Sequence, residues 1–555
     1  MNMTPWDFLK TYRDSFFTGS WPTLPELLRI TASRYPERRA FTSYSPALLE
    51  FTWNEVLEKA EMLGQYLHSL GVKKGDRVGV TGKNSPEWAL GYLGILFAGG
   101  IVVPLDYGLK NEEIAGLMDI SEVKILFCDE EKFDFFAGKG LSKLISLSPG
   151  KEAYILDIAH EGTQDVSLPE ENDLAAILFT SGTTGVAKGV MLSHKNFVSD
   201  CFLAQANMNI FHTDVFYALL PLHHSYSMLA VFIESISVGA EIVFAKGLAI
   251  KQILKDLKAG KVTMFLGIPM LFNKLIKGLL KGIREKGIFV YGLIRFLMWV
   301  SGTIKKYFHV NPGKAMFKGI LSKVSLDTNR ICICGGGPLP ASTFKMFNQL
   351  GIDFVQGYGL TETSPIVALN PKEAYKEASV GKMIPGTETR ILEPDENGCG
   401  EIAIKGSMVM QGYYLDHDAT DEVMTAEGFL KTGDVGYLDH DNYLYLTGRA
   451  KSLIVTEGGK NVFPEEIEDK FQLYDEIEQI LIRGYLLDKK MKVEAIEALI
   501  YPGEESQNLD KARFQEIIDE VNRELKPYQR ISRLTILDEP MEMTTTRKIK
   551  RFAVK

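Results

Sequence analysis

The segment AAILFTSGTTGVAKGV, residues 175–190, decides how this chain is read. Residues 175–180 form a short apolar run of strand character that passes straight into a Ser, Thr and Gly loop ending at Lys188. Gly182 and Gly185 let backbone amides turn inward as an anion-binding nest. The hydroxyls of Thr180, Ser181, Thr183 and Thr184 add donors, and Lys188 adds a point charge. A loop of this make-up suits a polyphosphate. It is not the phosphate loop of common nucleotide hydrolases: GxxxxGK[ST] counted from Gly182 needs Gly at 187 and Ser or Thr at 189, where Ala187 and Gly189 stand. Nor is GYGLTE, residues 357–362, a dinucleotide fingerprint, because its third glycine position holds Glu362.

Outward from this segment, short apolar strands at 75–80, 123–128, 241–244, 262–266, 330–334 and 353–356 alternate with helical patterns. That alternation implies parallel βαβ units, with ligands at the strands' carboxyl ends. Residues 88–105 run without a charge, at the length threshold of a membrane span. Gly99 and Gly100 divide that run into a core helix and a β-branched core strand. Beyond about residue 384 short strands and turns predict a β-rich subdomain, and the 107 residues from 449 to 555 suffice for one further domain.

With 555 residues, 45% apolar and 24% charged, the chain has material for several cores, which excludes a disulfide-stapled miniature and wholesale disorder. A net charge of −9 argues against nucleic acid as the main partner. The five cysteines fit no metal or redox spacing, and the start of the chain has no basic-then-apolar leader pattern, so the expectation is a cytoplasmic protein.

FTSGTTGVAKGVMLSH, residues 179–194, resembles the phosphate-loop signature of the adenylate-forming, AMP-binding superfamily. Further motifs follow in that family's order: LPLHHSYS (220–227), GGGPLP (335–340), QGYGLTETSP (356–365), KTGDVGYLD (431–439), GRAKSLIVTEGGKNVFPEEIE (448–468) and TTTRKIKR (544–551). The resemblance spans nearly the whole chain. It implies an α/β protein: a large N-terminal adenylation domain of stacked αβ subdomains (1–448, with the β-rich subdomain at about 384–448) and a small mobile C-terminal α+β domain (449–555).

The same resemblance implies roles for individual residues. Glu362 would hold Mg²⁺, with Thr361 adding a hydroxyl to the same phosphate. Tyr358, between Gly357 and Gly359, would cover adenine, with Gly335, Gly336, Gly337 and Pro338 as the opposite wall. Asp434 would grip the ribose hydroxyls, an acceptor-only task suited to an ionised acid. Arg449 would stand near ribose and phosphate, and Lys451 falls at the hinge. Lys548 takes the place of the catalytic lysine; Arg547 stands where glycine often precedes that lysine, and Lys550 is its rival. His224, beside His223 and Tyr226, would gate or orient the acid. As a metal site the histidine pair lacks a third ligand at helical or CxxC spacing.

GYGLTETSP, a GxxxPGT segment at 381–387 and an insertion at about 278–325 look most like long-chain fatty acid CoA ligases. The implied reaction consumes ATP with Mg²⁺ and a medium- to long-chain fatty acid, then CoA. Acyl carrier protein as acceptor, an aryl acid as substrate, and a membrane-associated lipid-binding or uptake factor are the alternatives. Residues 274–323 hold eleven basic residues against one acid, Glu285, a local charge of +10. They surround GIFVYGLIRFLMWV (287–300), about two-thirds of a span and interrupted by Arg295. Apolar residues bounded by Lys and Arg describe an interfacial helix, so peripheral contact with anionic lipid at the inner face of a membrane is a further expectation, beside an ordinary packed helix with a solvated basic face.

Overall fold

The charge-free run at 88–105 divides where its glycines require. Helix Pro86–Phe97 starts on Ser85, whose side chain accepts from the backbone N–H of Trp88, and all twelve of its residues are buried. Gly99, at φ +74°, turns the chain into the buried strand Ile101–Pro104. This is a core helix and core strand, as the sequence predicts. The computed structural model describes residues 4–554 apart from 163–166, 182–186, 248, 457–459, 489–492, 504–505, 508 and 545–547.

Two large sheets organise the first 449 residues. In one, Leu174–Ser181, Ile101–Pro104, Arg77–Thr81, Ile125–Cys128 and Lys143–Ser146 run parallel, in that spatial order. In the other, Asp353–Gly359, Ile331–Cys334, Met264–Gly267, Val215–Ala218, Glu241–Phe244 and Arg39–Ser43 run parallel, with Leu49–Thr52 antiparallel at the edge. One apolar cluster, including Trp53, Trp88, Val102, Phe232 and Ile242, fills the space between the two sheets and the helices Leu24–Arg34, Trp53–Ser69, Pro86–Phe97 and His194–Gln205. The expected strands thus exist and stack as αβ layers, because each was apolar on both faces.

Two features differ from the sequence reading. Lys188 does not close a loop: it lies on a strand, Ala187–Ser193, which returns antiparallel along Leu174–Ser181 and pairs Lys188 with Thr180. The antiparallel strands from Ile366–Leu369 to Tyr443–Arg449, apart from Gly412–Tyr413, have an apolar cluster of their own around Val367, Ile402 and Leu444, yet by hydrogen bonding they extend the second sheet to thirteen strands.

On the outer face of that sheet lie helices α1 (Pro269–Arg284), α2 (Ile288–Phe308) and α3 (Ala341–Gln349) over a second apolar cluster. Gly287, at φ +107°, makes the turn between α1 and α2. α2 is longer than the apolar window suggested, at 21 residues, and is long and apolar enough to cross a membrane by length and composition. The last residues build a separate three-stranded sheet from Ile477–Asp488, Val493–Pro502 and Ile531–Ile536. Helix Lys511–Glu524, capped by Asp510, buries Phe514, Ile517, Ile518 and Val521, a spacing of one helical face, against it.

Candidate active site

The residues singled out in the sequence sit where strands of the two sheets end. Thr180 is near the carboxyl end of Leu174–Ser181, Gly335 follows Ile331–Cys334, and Gly357, Tyr358 and Gly359 close Asp353–Gly359. Gly182, Thr183, Thr184 and Gly185 lie outside the described residues, as does the side chain of Ser181. What the structure places is the frame around that loop: the Thr180 and Lys188 pair on adjacent strands, with the Lys188 ammonium 4.9 Å from the centre of the Tyr413 ring.

Tyr413 was not singled out in the sequence. It belongs to the short strand Gly412–Tyr413, paired with Ala187–Ser193, and its hydroxyl donates to Glu362 Oε1 at 2.8 Å. Burial first, and then the Glu362 carboxylate, push the Tyr413 phenol upward, so it remains a donor. Lys188, Tyr413 and Glu362 therefore form one connected edge. Beside it, Thr361 Oγ1 lies 3.1 Å from Ser225 Oγ, which ties the YGLTE loop to the LPLHHSYS loop. Among the described residues this edge offers hard oxygen donors, the Glu362 carboxylate and the Thr361 hydroxyl, and that chemistry fits Mg²⁺.

Two glycines leave little room for a side chain. A Cβ on Gly359 would lie 1.5 Å from the Pro365 carbonyl oxygen, and one on Gly335 would meet the Tyr226 ring at 3.0 Å. Tyr226 is held there by its hydroxyl, which donates to the Ile333 carbonyl. Gly336, Gly337 and Pro338 continue past this contact toward the start of α1: a Cβ on Gly337 would be 3.7 Å from Pro269.

Asp434 is buried on strand Leu430–Leu438, directly opposite Arg449 on Tyr443–Arg449. Its Oδ1 lies 2.9 Å from Arg449 Nε, and its Oδ2 accepts the Tyr358 hydroxyl at 2.7 Å. Each carboxylate oxygen is fixed by one donor, leaving further lone pairs for other hydroxyls. Burial and then Asp434 push the Tyr358 phenol well up, so it too stays protonated. Its ring packs on the cluster around Val367 and Leu444.

Lys548, 99 residues beyond Arg449, comes back to this point. More than a third of its surface is open. Its ammonium nonetheless lies in a crowded cleft: desolvation lowers its pKa, Arg449 adds to that, and Asp434 opposes. Lys550 is turned elsewhere, its ammonium 3.4 Å from Glu542 in its own domain. The backbone N–H of Lys548 donates to Thr544 Oγ1, bracketing the undescribed 545–547. Lys451 is exposed in a short 3-10 turn, 3.7 Å from Glu422. The small domain touches the large one through Gln472, which accepts from Asn273 of α1 and donates to the Pro338 carbonyl.

His224 is also in reach. Burial lowers its pKa to about 3, His223 and Lys548 push the same way, and Asp106 opposes, so the imidazole is neutral at physiological pH. His223 Nε2 lies 3.2 Å from Asp106 Oδ1, and the two histidine rings are 4.3 Å apart. Asp106, His223 and His224 bring three donor atoms within 4.8 Å of one another. The third group that sequence spacing lacked is thus a residue 117 positions earlier. Its one legible signal was its place just after the parallel strand Ile101–Pro104.

A family model described as AMP-binding enzyme matches residues 28–414. The chain is 26% identical to the chloroplastic long-chain-fatty-acid–[acyl-carrier-protein] ligase of Arabidopsis thaliana, over 97% of this chain and 86% of that one. It is 27% identical to a long-chain-fatty-acid–CoA ligase of Bacillus subtilis, over 83% and 82% respectively. Among solved structures, ATP-bound MatB from Rhodopseudomonas palustris matches 96% of this chain and 98% of its own, with a TM-score of 0.76 and 24% identity. The anthranilate CoA ligase AuaEII in complex with anthranoyl-AMP matches 96% of each chain, with a TM-score of 0.78 and 20% identity. These structures share the fold.

Proposed function

The chain belongs to the AMP-binding enzyme family as an adenylate-forming acid ligase, and from that premise we propose that it activates a medium- to long-chain fatty acid with ATP and passes the acyl group to the thiol of CoA. In the first step a carboxylate oxygen attacks the α-phosphorus of ATP, the bond to pyrophosphate breaks, and acyl-AMP forms. In the second a thiol attacks the acyl carbonyl and AMP leaves. The observation that carries this reading is the convergence of Lys548 with Asp434, Arg449 and His224.

Each residue has a task in that scheme. Thr180 and Lys188 bind the outer phosphates together with the loop they frame. Asp434, held from both sides, accepts the ribose hydroxyls, and Tyr358 presents its ring to the base. Glu362, with Thr361, would hold Mg²⁺, which when bound offsets phosphate charge. The Lys548 ammonium neutralises the charge that gathers as carboxylate approaches phosphate. His224, neutral and next to Lys548, orients the incoming acid without adding charge. The hinge role of Lys451 and the withdrawal of Lys548 after adenylation belong to the same reading.

The names of the relatives support a long-chain acid. The Arabidopsis relative, matched over nearly all of this chain, favours a second reading in which acyl carrier protein is the acceptor. A cytoplasmic location accompanies both, supported by five cysteines that are all free thiols. Pyrophosphate release across carboxylic acids of graded length, followed by a choice of CoA or carrier protein, tests the proposal. Long-chain acids are expected to exceed two-carbon and aryl acids by more than about tenfold in kcat/KM. A preference for aryl or short acids would sink the fatty-acid assignment, and transfer only to carrier protein would replace CoA.

A further inference from the structure

Helix α2 is apolar on two faces. Its inner face packs Tyr291, Ile294, Leu297 and Met298 on the second apolar cluster, with Ser301 and Lys305 buried beside them, and Lys305 is anchored there by Asp353 at 2.7 Å, Asn348 Oδ1 at 2.8 Å and the Ile352 carbonyl. Its outer face carries Phe289 (90% exposed), Leu293 (59%), Phe296 (58%), Trp299 (56%) and Tyr307 (71%). Phe289, Leu293, Phe296 and Val300 follow one another at steps of four, three and four, which is a single stripe of a helix. Among the described residues, ten of the 23 large apolar side chains that stand exposed fall within residues 288–316. Scattered exposed apolar residues are ordinary; a stripe of this kind marks a contact surface.

Charge says which surface. Just before the stripe, Lys281, Arg284 and Lys286 are exposed, and Lys286 is close enough to Lys323 for the two like charges to depress the Lys286 pKa, a pairing that an anion placed between them would relieve. The basic charge of the segment is not all available: Lys305 is buried against Asp353, while Lys277 and Lys306 are paired with Asp475 and Glu377. Lys281, Arg284, Lys286 and Lys323 stand exposed, the first three at the α1–α2 turn before Phe289, while exposed Arg295 lies within α2. An acidic protein partner would need the lysines alone; an apolar stripe with Trp and Tyr along it, bordered by lysines, matches hydrocarbon beneath anionic headgroups.

We propose that the outer face of α2 lies flat in the surface of an anionic phospholipid bilayer, with Lys286 and Lys323 on the headgroup phosphates. The anchor of Lys305 to the second sheet keeps the helix from crossing the bilayer. α1 then links membrane to site: it starts at the Gly337 wall and ends at the basic turn, about 24 Å along its axis. An acid that partitions into lipid is collected within one helix length of the place where it is activated. Docking is independent of which acid is used, so it stands or falls apart from the pyrophosphate panel.

The test is co-sedimentation of the full-length protein with vesicles of phosphatidylcholine alone or mixed with phosphatidylglycerol. Wild type, Phe289→Ser with Phe296→Ser, and Lys286→Glu with Lys323→Glu are compared, and unchanged pyrophosphate release from a soluble acid shows each variant to be folded. Binding to the anionic vesicles is expected to fall at least tenfold in either double variant, and that of wild type to weaken in high salt. Absence of wild-type binding, equal binding by all three proteins, or a lipid-free dimer that the Phe289→Ser/Phe296→Ser protein cannot form would overturn the proposal; the last outcome would assign the stripe to a second copy of the chain.

Discussion

Lys548 and His224 share a cleft but respond to it in opposite ways. Desolvation disfavours charge on both; for the histidine this secures the neutral form down to about pH 3, so His224 contributes no titration across the physiological range. For the lysine the same effect moves loss of the ammonium to lower pH than an ordinary lysine shows, about 10.4. The ammonium, and with it adenylation, is present below that lowered value and lost as pH rises through it. The alkaline limb of the adenylation rate is therefore expected below the ordinary lysine range, and Lys548→Arg, which stays charged, is expected to move it upward. A limb indifferent to that substitution would clear Lys548 of the role. Lys548→Ala should cost about 10²–10³-fold in pyrophosphate release while sparing thioester formation from supplied acyl-AMP.

At the scale of an element, the buried polar anchor of α2 is Lys305, beside the more exposed pair of Lys306 with Glu377. Lys305 reaches Asp353, Asn348 and the Ile352 carbonyl from a buried position. Truncating it leaves the Asp353 carboxylate without its cation, so Lys305→Ala should lower unfolding stability by about 3–5 kcal/mol in denaturant titration. Lys305→Met, which keeps the apolar stem, should cost less. A loss below about 1 kcal/mol for the alanine variant would mean that α2 is seated by its apolar side chains alone. The anchor also explains a sequence ambiguity: Lys305 counted toward a basic segment, and only its partner 48 residues later shows it to be structural.

Across the whole molecule, Lys548 meets Asp434 from beyond a separate small sheet near the end of the chain. Gln472 joins the two bodies through Asn273 and the Pro338 carbonyl, at the point where the Gly-rich wall meets α1. Each of the two hydrogen bonds contributes about 1 kcal/mol, so Gln472→Ala is expected to slow adenylation by up to about thirtyfold. If the proposed withdrawal of Lys548 after adenylation holds, the thioester half-reaction should be unchanged. Equal slowing of both half-reactions would show that Gln472 supports the small domain itself and not its closure.

Local physical chemistry was enough to read much of this protein. Apolar runs followed by glycine became buried parallel strand residues at 101–104, 331–334 and 354–356, because a strand covered on both faces needs no partner to reveal it. Thr361, Glu362, Asp434 and Lys548 stood out through the motifs that resemble the AMP-binding family, since a lone acid or lysine carries no such signal by itself. Contacts made across the chain were not legible. Asp106 beside His223, Tyr413 beneath Lys188, and Lys548 turned inward while Lys550 pairs with Glu542 each depend on where separate strands and domains are brought together. The sequence alone determined the αβ layering and a loop suited to polyphosphate, since both rest on neighbours within a few residues, while the adenylating chemistry came from the order of motifs that resembles the AMP-binding family. Only the tertiary structure decided which face of α2 stays bare and which charges remain unpaired, because burial and pairing are settled by residues far apart in the chain.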